Sequence, residues 1–531
     1  MLLEIDGEGR CSFLDKEGTN VQFSYDDGKT ALVYGTPRTD GYIAKAEAVR
    51  DFLNGKAGLD GTYAIIKIDK NKRVEVHTDP FAMHKVFVSQ HADRGDNKKM
   101  LLSTQVGSIV ARMGQWSFDK KGLSQYLYLG FTLNDRTLFD NVRSLSGGHA
   151  YRFKTGKVLS KPLPEHIKAV TSRKDFVSRF NDHVSNSAGE RPVLPVTGGI
   201  DSRMVLSAFI KKGMEPTLYT HGNPSSQDFT ISQRIAEETG LEHIRVPLGK
   251  NFIHSIPSLL NGLSGGLDFK VNPLYYPHIP HGWGRIPREC TYFTTTGGGV
   301  FRDHIGNMGQ TTPASLKRYA TSLVNHMACP VPERMETNLN RRAFLKDEMI
   351  LSLASLGTTD AYRLGNGFLL KERVGNFASH MLKLAGQSFF TATPFLQTDF
   401  LRHSQGLLAE KKRGGLFQMD VIKQNAPQLA KIPFDSGRSF PGNTAGEKVN
   451  AKLYRLGWMA RCGVNRLAGR DILSAAFVKY PRWYRTYHQK MFTNMARQGG
   501  VLASIPQRTI EAALEDYAAD NDRYFPFSVV R

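Results

Sequence analysis

The sequence predicts a chain that joins an α+β half to an α/β half, and three features predict this fold class. Residues 1 to about 160 form short runs of alternating apolar and polar residues separated by polar turns, as in antiparallel hairpins. From about Arg173 onward, short apolar strands alternate with amphipathic helices, which is typical of a parallel sheet with helices on both faces. The chain has 531 residues, whereas a domain usually takes about 100–200. We therefore expect two domains, residues 1–165 and residues 173–531.

Composition and charge exclude several classes of protein. Hydrophobic residues make up 40% and charged residues 22% of the chain, as in an ordinary globular protein. The net charge is +21, but the basic residues are spread along the chain without a nucleic-acid-binding module, so no nucleic acid partner is expected. No apolar run approaches the ~18 residues of a membrane-spanning helix, and the first residues lack the features of a signal peptide. We therefore expect a cytoplasmic protein without a transmembrane segment.

The first half is expected to begin with alternating strands between Leu2 and Tyr25. Farther on, Gly61–Asp69 is predicted to be a strand, followed by a polar turn and the returning strand Val74–Thr78. The next stretch, Asp79–Val88, leads through a loop into another strand. The whole pattern is that of antiparallel hairpins.

The most informative stretch runs from a short apolar segment, Val193–Val196, into the sequence Thr-Gly-Gly-Ile-Asp-Ser at Thr197–Ser202. The residues that follow have the apolar spacing of one buried helix face. Glycines at such a strand-to-helix junction let the backbone approach a ligand closely, and the N–H groups there bind phosphate. No lysine follows the glycines, and the three spaced glycines of the dinucleotide fingerprint are missing. The loop therefore predicts a phosphate or pyrophosphate site of another kind.

Two further strands place this loop at the edge of a sheet. Pro216–Gly222 is predicted to be a strand, Asp228–Thr239 a helix and His243–Pro247 the next strand. Ligands of parallel sheets bind beyond the carboxyl ends of the strands. We therefore expect Thr197–Ser202 and Gly222 to lie at the same edge.

Thr197–Ser202 resembles the Ser-Gly-Gly-x-Asp-Ser pyrophosphate loop of the ATP pyrophosphatase superfamily, which includes the asparagine synthetases. In the first half, Tyr126–Phe131, Arg136–Val142 and Leu145–His149 resemble, in the same order, three landmarks of the amidotransferase domain of asparagine synthetases. The resemblance implies an αββα amidotransferase-like sandwich followed by a Rossmann-like α/β domain with a helical C-terminal part. It also implies ATP and Mg²⁺ as cofactors.

The same resemblance implies which residues bind the nucleotide. Val196 and Gly222 would flank the adenine, and the loop would hold the triphosphate and its magnesium ion. Farther along, a β-rich run ends in three glycines where the family has Ser-Gly-Glu-Gly-Ser-Asp-Glu, with Gly298 in place of the first Glu. The expected cofactor-binding residues are Val196, Thr197, Gly198, Gly199, Asp201, Ser202, Gly222 and Gly298.

Two acids and a lysine complete the predicted site. Asp303 follows the three glycines and is expected to bind magnesium together with Asp201, because a cation that bridges phosphates uses one or two carboxylates. Lys431 matches the position of a lysine that the family supplies to the reaction centre, and Lys423 is the alternative. Asp303 and Lys431 are therefore the expected catalytic residues.

A second stretch, Leu263–Asp268, matches the superfamily loop more closely letter by letter. Its surroundings do not fit, because a predicted helix precedes it and no helix is predicted to follow. The family carries a substrate-side loop at this position. A further interpretation is therefore that Asp268 faces the acceptor substrate.

The first half departs from the family at its reaction centre. Glutamine-hydrolysing members use a cysteine at the processed N-terminus as the nucleophile. Position 2 is Leu2 here, and the nearest thiol, Cys11, lies inside a predicted strand. The four cysteines are far apart and none forms a Cys-x-x-Cys pair, so neither a disulfide framework nor a zinc site is expected. We therefore expect that this half does not hydrolyse glutamine.

Together these features predict an ATP-dependent carbon–nitrogen ligase. A carboxylate of a small molecule or peptide would be adenylated with release of pyrophosphate, and a nitrogen nucleophile would then displace AMP. One alternative is a specialised amide ligase, such as a lasso-peptide- or β-lactam-type cyclase or an enzyme that amidates a surface polysaccharide. Another is a nucleotide-binding protein without catalysis. The sequence leaves open whether the chain forms a homodimer.

Overall fold

The computed structural model describes residues 1–6, 8–15, 21–26, 28–90, 99–154, 156–163, 170–264, 266–302, 316–328 and 341–434, and the single residues 456 and 460. These residues form a mixed α/β structure with two antiparallel sheets and one parallel sheet, which confirms the predicted fold class. None of the helices in these ranges is both long enough and apolar enough to cross a bilayer.

The first half of the described chain contains the two antiparallel sheets. Its strands are β1 (Leu2–Ile5), β2 (Cys11–Asp15), β3 (Val21–Tyr25), β4 (Lys29–Thr39), β5 (Tyr42–Ile43), β6 (Asp60–Ile68), β7 (Val74–Thr78), β8 (Phe87–Gln90), β9 (Met100–Ser103), β10 (Val142–Ser144), β11 (His149–Lys154) and β12 (Lys157–Pro162). One sheet has the order β10-β8-β9-β1-β2. The other has the order β12-β11-β7-β6-β4-β3, and β5 also pairs with β4.

The two sheets pack face to face. Successive side chains along a strand point to opposite faces, so each strand contributes to the core between the sheets and to the layer outside them. In β6, Ile66 lies in the core between the sheets, whereas its neighbour Ile65 lies on the other face against α1 (Ala46–Leu53). The outer face of the first sheet is covered by α2 (Val106–Met113) and α3 (Lys120–Leu129). The two sheets and these three helices form four layers, which we call the sandwich.

The second half is built on a parallel sheet. Its described strands are β13 (Pro192–Pro195), β14 (Thr217–Gly222), β15 (His243–Pro247), β16 (Thr291–Phe293) and β17 (Phe390–Ala392). The order is β15-β14-β13-β16-β17, and every pairing is parallel. The chain therefore starts at β13, adds two strands on one side and then returns to add two on the other. The switch point between β13 and β16 is where such sheets bind ligands, beyond the carboxyl ends of the strands.

Helices make up most of the remaining described second half. They are α4 (Arg173–Ser187), α5 (Ile200–Lys211), α6 (Gln227–Thr239), α7 (Lys250–Ser264), α8 (His278–Trp283), α9 (Leu316–Met327), α10 (Arg342–Ala354), α11 (Ala361–Phe368), α12 (Ser379–Ala385), α13 (Thr398–Gly406), α14 (Ala409–Lys412) and α15 (Leu416–Asn425). A π-helical stretch, Leu369–Ala378, joins α11 to α12. Short 3₁₀ turns lie at Pro273–Tyr275, Gly298–Arg302, Pro394–Leu396, Arg413–Gly415 and Pro427–Lys431.

The helix after the predicted phosphate loop, α5, is buried along most of its length. Met204, Val205, Ala208 and Phe209 are inaccessible to solvent, as their helical spacing in the sequence predicts. The helix packs against α4 and α15. Because α5 is held by packing on these sides, its N-terminus has a defined position relative to the sheet.

A direct contact joins the sandwich to the edge of the parallel sheet. Thr36 in β4 and Thr391 in β17 have their hydroxyl oxygens 3.2 Å apart. The guanidinium of Arg38 donates to the carbonyl oxygens of Gly41 at 2.6 Å and Thr391 at 2.8 Å. Burial of Arg38 lowers the pKa of its guanidinium to about 10. The sandwich therefore contacts the sheet that carries the predicted site.

The predicted elements agree closely with the described ones where the pattern is strong. The bounds of β7 and β15 are those predicted, and α6 begins one residue before its predicted start. The strand β17 differs from the prediction, because it lies in the C-terminal part of the chain, which we expected to be mostly helical. The division into two domains stays a prediction, and its boundary at residues 164–169 lies outside the described residues.

Candidate functional site

The predicted phosphate loop lies at the carboxyl end of β13. Val196 continues from the strand, and its N–H donates to the carbonyl of Tyr219 in β14 at 2.8 Å. Gly199 has the extended backbone of a helix N-cap, with φ of −77° and ψ of 168°, and α5 begins directly after it. Thr197–Ser202 therefore has the predicted strand–loop–helix arrangement and lies at the switch point of the sheet.

Three backbone N–H groups of the loop have acceptors within the chain. Thr197 N donates to Ser202 Oγ at 3.3 Å, and Gly199 N donates to Thr197 Oγ1 at 3.1 Å. Gly198 N donates to the carboxylate of Asp228 at 2.8 Å. Asp228 lies in the first turn of α6, so a carboxylate from the neighbouring helix occupies the predicted phosphate loop. An anion that binds to the Gly198 N–H therefore competes with Asp228.

Asp201, in the first turn of α5, is held from three sides. Arg302 Nη2 lies 2.8 Å from Oδ2, and Gln418 Nε2 donates to Oδ1 at 2.7 Å. The side chain of Asp201 is only 15% exposed, and these donors replace the water that it loses. Gly298 lies on the third side, where a Cβ atom would come within 2.6 Å of Cγ of Asp201. The structure thus brings together Asp201 and Gly298 from the two predicted segments.

Arg203 connects the loop to the C-terminal part of the described chain. Its fully buried guanidinium donates to the carbonyl oxygen of Gly198 at 3.2 Å. It also donates to the carbonyl oxygens of Ile432 and Pro433, both at 2.6 Å, and lies 4.2 Å from the ring centre of Phe434. The chain around residue 432 is therefore anchored beside the loop.

The two candidate lysines lie in this same C-terminal part. Lys431 ends a 3₁₀ turn one residue before Ile432, and its side chain is exposed. Lys423 is exposed on α15, the helix that also carries Gln418. No described hydrogen bond or ion pair joins either lysine to the loop, so the choice between them stays a prediction.

The positions predicted to flank the adenine lie on neighbouring strands. Val196 is fully buried, and its carbonyl accepts a hydrogen bond from Thr220 Oγ1 at 2.7 Å. Next to the buried Gly222, the ring of His221 has its centre 5.0 Å from that of His278 in α8. Burial lowers the pKa of His221 to about 3, so its ring is neutral near pH 7. These uncharged surroundings suit a heteroaromatic base better than a phosphate.

The described residues fit the phosphates of a nucleotide more fully than they fit a metal ion. Glycines and a helix N-terminus at a switch point are suited to polyphosphate. For a cation, Asp201 is a described carboxylate, but Arg302 already engages one of its oxygens. Asp303, the predicted second ligand, lies outside the described residues. Within the described ranges, no group of three His, Cys, Asp or Glu side chains is arranged to hold a metal.

The second loop-like stretch, Leu263–Asp268, has a different role. α7 continues to Ser264, and Asp268 has left-handed backbone with φ of 53°. The Asp268 carboxylate is fully buried, accepts a hydrogen bond from Lys383 Nζ and lies 3.4 Å from Val106 N in the sandwich. It therefore joins α12 to the sandwich, and the interpretation that Asp268 faces an acceptor is wrong.

The first strand, β1, carries neither a thiol nor a hydroxyl side chain. Met1 and Leu2 are buried, and Ser103 Oγ donates to the carbonyl of Met1 at 2.6 Å. Cys11 lies in β2, inside a strand as predicted, and burial raises the pKa of its thiol. A buried thiol with a raised pKa is a poor nucleophile because little thiolate forms near pH 7.

Three residues that contact the predicted site were missed by sequence reasoning. Arg302 and Gln418 are 101 and 217 residues away from Asp201, so no local spacing indicates the contacts. Asp228 carried a usable signal, because an acid in the first turn of the helix after β14 lies at the same edge of the sheet as the loop.

Comparison with known proteins adds little to this geometry. No family model matches the sequence, and no curated protein matches it. Among solved structures, the chain shows a distant likeness to the glutamine phosphoribosylpyrophosphate amidotransferase from B. subtilis, complexed with ADP and GMP. The identity is 10%, the TM-score is 0.17, and the match covers 42% of this chain and 47% of that chain. The match thus spans about half the length of that structure, and a likeness at this level carries no argument about function.

Proposed function

We propose that this chain is an ATP-dependent carbon–nitrogen ligase of the asparagine synthetase type. A carboxylate oxygen of the substrate attacks the α-phosphorus of ATP, the bond from that phosphorus to the bridging oxygen breaks, and pyrophosphate leaves. A nitrogen nucleophile then attacks the acyl carbon, loses a proton and displaces AMP. The substrate is a small molecule or peptide that carries a carboxylate.

The observation that carries the proposal is the meeting of two segments at the switch point of the parallel sheet. Thr197–Ser202 and Gly298–Arg302 come from opposite sides of the switch and touch through Gly298 and Asp201. The N-terminus of α5 offers partial positive charge where the leaving pyrophosphate would lie. Magnesium, when bound, would neutralise phosphate charge, with Asp201 as one ligand and Asp303 as the predicted second ligand.

We also propose that the nitrogen does not come from glutamine hydrolysis in the sandwich. Leu2 supplies no thiol, and Cys11 is buried within β2 with a raised thiol pKa. The nucleophile would then be free ammonia or an amine of the substrate. Glutamine should not replace ammonium or an amine acceptor, and glutamine turnover that is sensitive to thiol alkylation would contradict this part of the proposal.

The test is ATP-dependent pyrophosphate release from the purified full chain, measured with panels of carboxylates and amines. Asp201→Ala should abolish release. Asp420→Ala is the matched control and should release pyrophosphate like the wild type. Asp420 lies on α15, is half-exposed and forms an ion pair with Arg173. Unchanged release in Asp201→Ala would refute the assignment of the site.

A second candidate function is nucleotide binding without catalysis. It is favoured by Gly298 in place of the expected glutamate and by the ion pair between Arg302 and Asp201. ATP binding by the wild-type chain, without pyrophosphate release for any acceptor, would support this candidate over the ligase.

A further inference from the structure

The ion pair at Asp201 is not explained by the ligase chemistry alone. Arg302 Nη2 lies 2.8 Å from Oδ2 of Asp201, and Gln418 holds the other oxygen at 2.7 Å. Arg302 ends the 3₁₀ turn that begins at Gly298, so it belongs to the segment at the switch point. A permanent arginine on this carboxylate would hinder a cation from binding to it, because both compete for the same oxygen.

The three side chains that meet here, Asp201, Arg302 and Gln418, have unused hydrogen-bonding capacity. Among the described residues, Arg302 Nε and Gln418 Oε1 are buried and have no hydrogen-bond partner. Gln418 is completely buried, so its oxygen has no access to solvent either. A guanidinium presents its donors in a planar fork, and a phosphate group is an acceptor that matches two of them at once. Arg302 therefore has the chemistry of a phosphate-binding residue.

We propose that Arg302 binds the polyphosphate of the nucleotide. When no ligand is bound, Arg302 instead forms the ion pair with Asp201. In the free protein, the guanidinium neutralises Asp201. In the complex, it transfers to a phosphate oxygen, and a divalent cation takes its place at Asp201, while Gln418 keeps the carboxylate oriented. This inference rests on the proposed function only for the assignment of a polyphosphate to the loop.

The exchange of partners couples the cation to the polyphosphate. Without a cation, moving Arg302 to a phosphate leaves Asp201 partly buried and without its positive partner, which is costly. With a cation on Asp201, Arg302 is released at little cost. Because coupling between two ligands is reciprocal, each should then raise the affinity for the other.

The experiment measures binding of inorganic tripolyphosphate by calorimetry, with and without Mg²⁺. In EDTA, Asp201→Asn should bind about tenfold more tightly than the wild type, since one charge-assisted hydrogen bond is released. Arg302→Gln should weaken binding by about tenfold in Mg²⁺ and should remove the gain when combined with Asp201→Asn. Arg302→Lys keeps the charge and should lie between the wild type and Arg302→Gln.

Asp420→Asn is the matched control, because it removes one negative charge from an exposed site on α15. It should change affinity by less than about twofold, since exposed charges are screened by solvent and salt. The inference is overturned if Asp201→Asn binds metal-free tripolyphosphate no more tightly than Asp420→Asn. It is also overturned if the gain survives in the double variant with Arg302→Gln.

These outcomes are distinguishable from failure of the ligase proposal. Tripolyphosphate has no adenine and cannot adenylate a carboxylate. Absence of pyrophosphate release with every acceptor would therefore refute the ligase. The tripolyphosphate affinities of the wild type and the variants would still decide the role of Arg302. Conversely, a working ligase in which Asp201→Asn gains no metal-free affinity would leave the function intact and overturn this inference.

Discussion

Gly298 and Asp201 lie so close together that no side chain fits at position 298. A Cβ atom there would lie 2.6 Å from Cγ of Asp201, whereas non-bonded carbon atoms rarely approach closer than about 3.5 Å. A methyl group would therefore push Asp201 by roughly 1 Å away from Arg302 and Gln418. We expect Gly298→Ala to slow pyrophosphate release by between about tenfold and a hundredfold, the usual effect of such a displacement in a positioned site.

The control for Gly298→Ala is Gly249→Ala. A Cβ atom at Gly249 meets nothing within 4 Å, so this variant should release pyrophosphate at the wild-type rate. Both variants should unfold at similar temperatures if the effect at position 298 is confined to the site. A wild-type rate in Gly298→Ala would show that the position of Asp201 does not matter for the reaction.

Asp228 is expected to compete with the incoming anion if Thr197–Ser202 binds phosphate as proposed. Its carboxylate accepts the Gly198 N–H at 2.8 Å, and in the proposed site this N–H would donate to a phosphate oxygen. Asp228→Asn keeps an oxygen acceptor but removes the charge, so repulsion of the incoming anion falls. We expect this variant to bind ATP about tenfold more tightly, as measured by calorimetry, because like charges at such distances repel by more than ~1 kcal/mol.

The matched variant for Asp228→Asn is Asp182→Asn, which removes a half-exposed carboxylate paired with Lys212. Its ATP affinity should remain within about twofold of the wild type. Weaker ATP binding by Asp228→Asn would mean that Asp228 supports the loop conformation rather than competing with the ligand.

The strand–loop–helix arrangement around Thr197–Ser202 could be predicted because its information is local. An apolar strand, two glycines, an acid, a hydroxyl and one apolar helix face all lie within Val193–Phe209. The same holds for β7 and β15, whose residue patterns are self-contained. In contrast, β17 has only three residues and reaches the sheet by pairing with β16, about a hundred residues earlier. Such a short strand has no periodicity to detect.

The partners of Asp201 could not be predicted for a related reason. Gln418 lies on α15, and nothing in the sequence of this helix indicates that it faces the loop. Arg302 is separated from Asp201 by 101 residues. Only the packing of α15 against α5 brings Gln418 into contact. The part of the site that a continuous backbone segment forms could therefore be predicted from the sequence. The side chains that long-range packing brings to it could not.

Arg38 is expected to stabilise the contact between the sandwich and the parallel sheet. It is 2% exposed, and its guanidinium donates to the carbonyl oxygens of Gly41 and Thr391. Arg38→Met removes the donor to the buried carbonyl of Thr391 and leaves that of Gly41 with Ser187 Oγ alone, which should lower the free energy of unfolding by about 1–3 kcal/mol. Urea unfolding measures the change. The exposed Arg10 is the control, and Arg10→Met should change stability much less than Arg38→Met does.

Glu348 on α10 forms a second, more acid-sensitive contact with the sandwich. Its carboxylate lies 2.9 Å from Arg136 Nε and 3.2 Å from Lys121 Nζ. Burial alone would raise the pKa of Glu348, but hydrogen bonds and charge from Arg136 and Lys121 outweigh it and hold that pKa below its usual value. The side chain is 2% exposed, so salt should screen this pair only weakly.

The lowered pKa of Glu348 determines how stability should change with pH. Because the folded-state pKa lies below the unfolded value of about 4.3, the ion pair contributes fully above that pH and is lost as the pH falls through the folded pKa. Glu348→Gln should therefore be less stable than the wild type at pH 7, and the difference in urea midpoint should shrink on acidification below about pH 4. Glu4→Gln, at a more exposed pair with Lys99, should show little difference at either pH. A difference for Glu348→Gln that stays constant down to about pH 3 would mean that the carboxylate charge does not stabilise this contact.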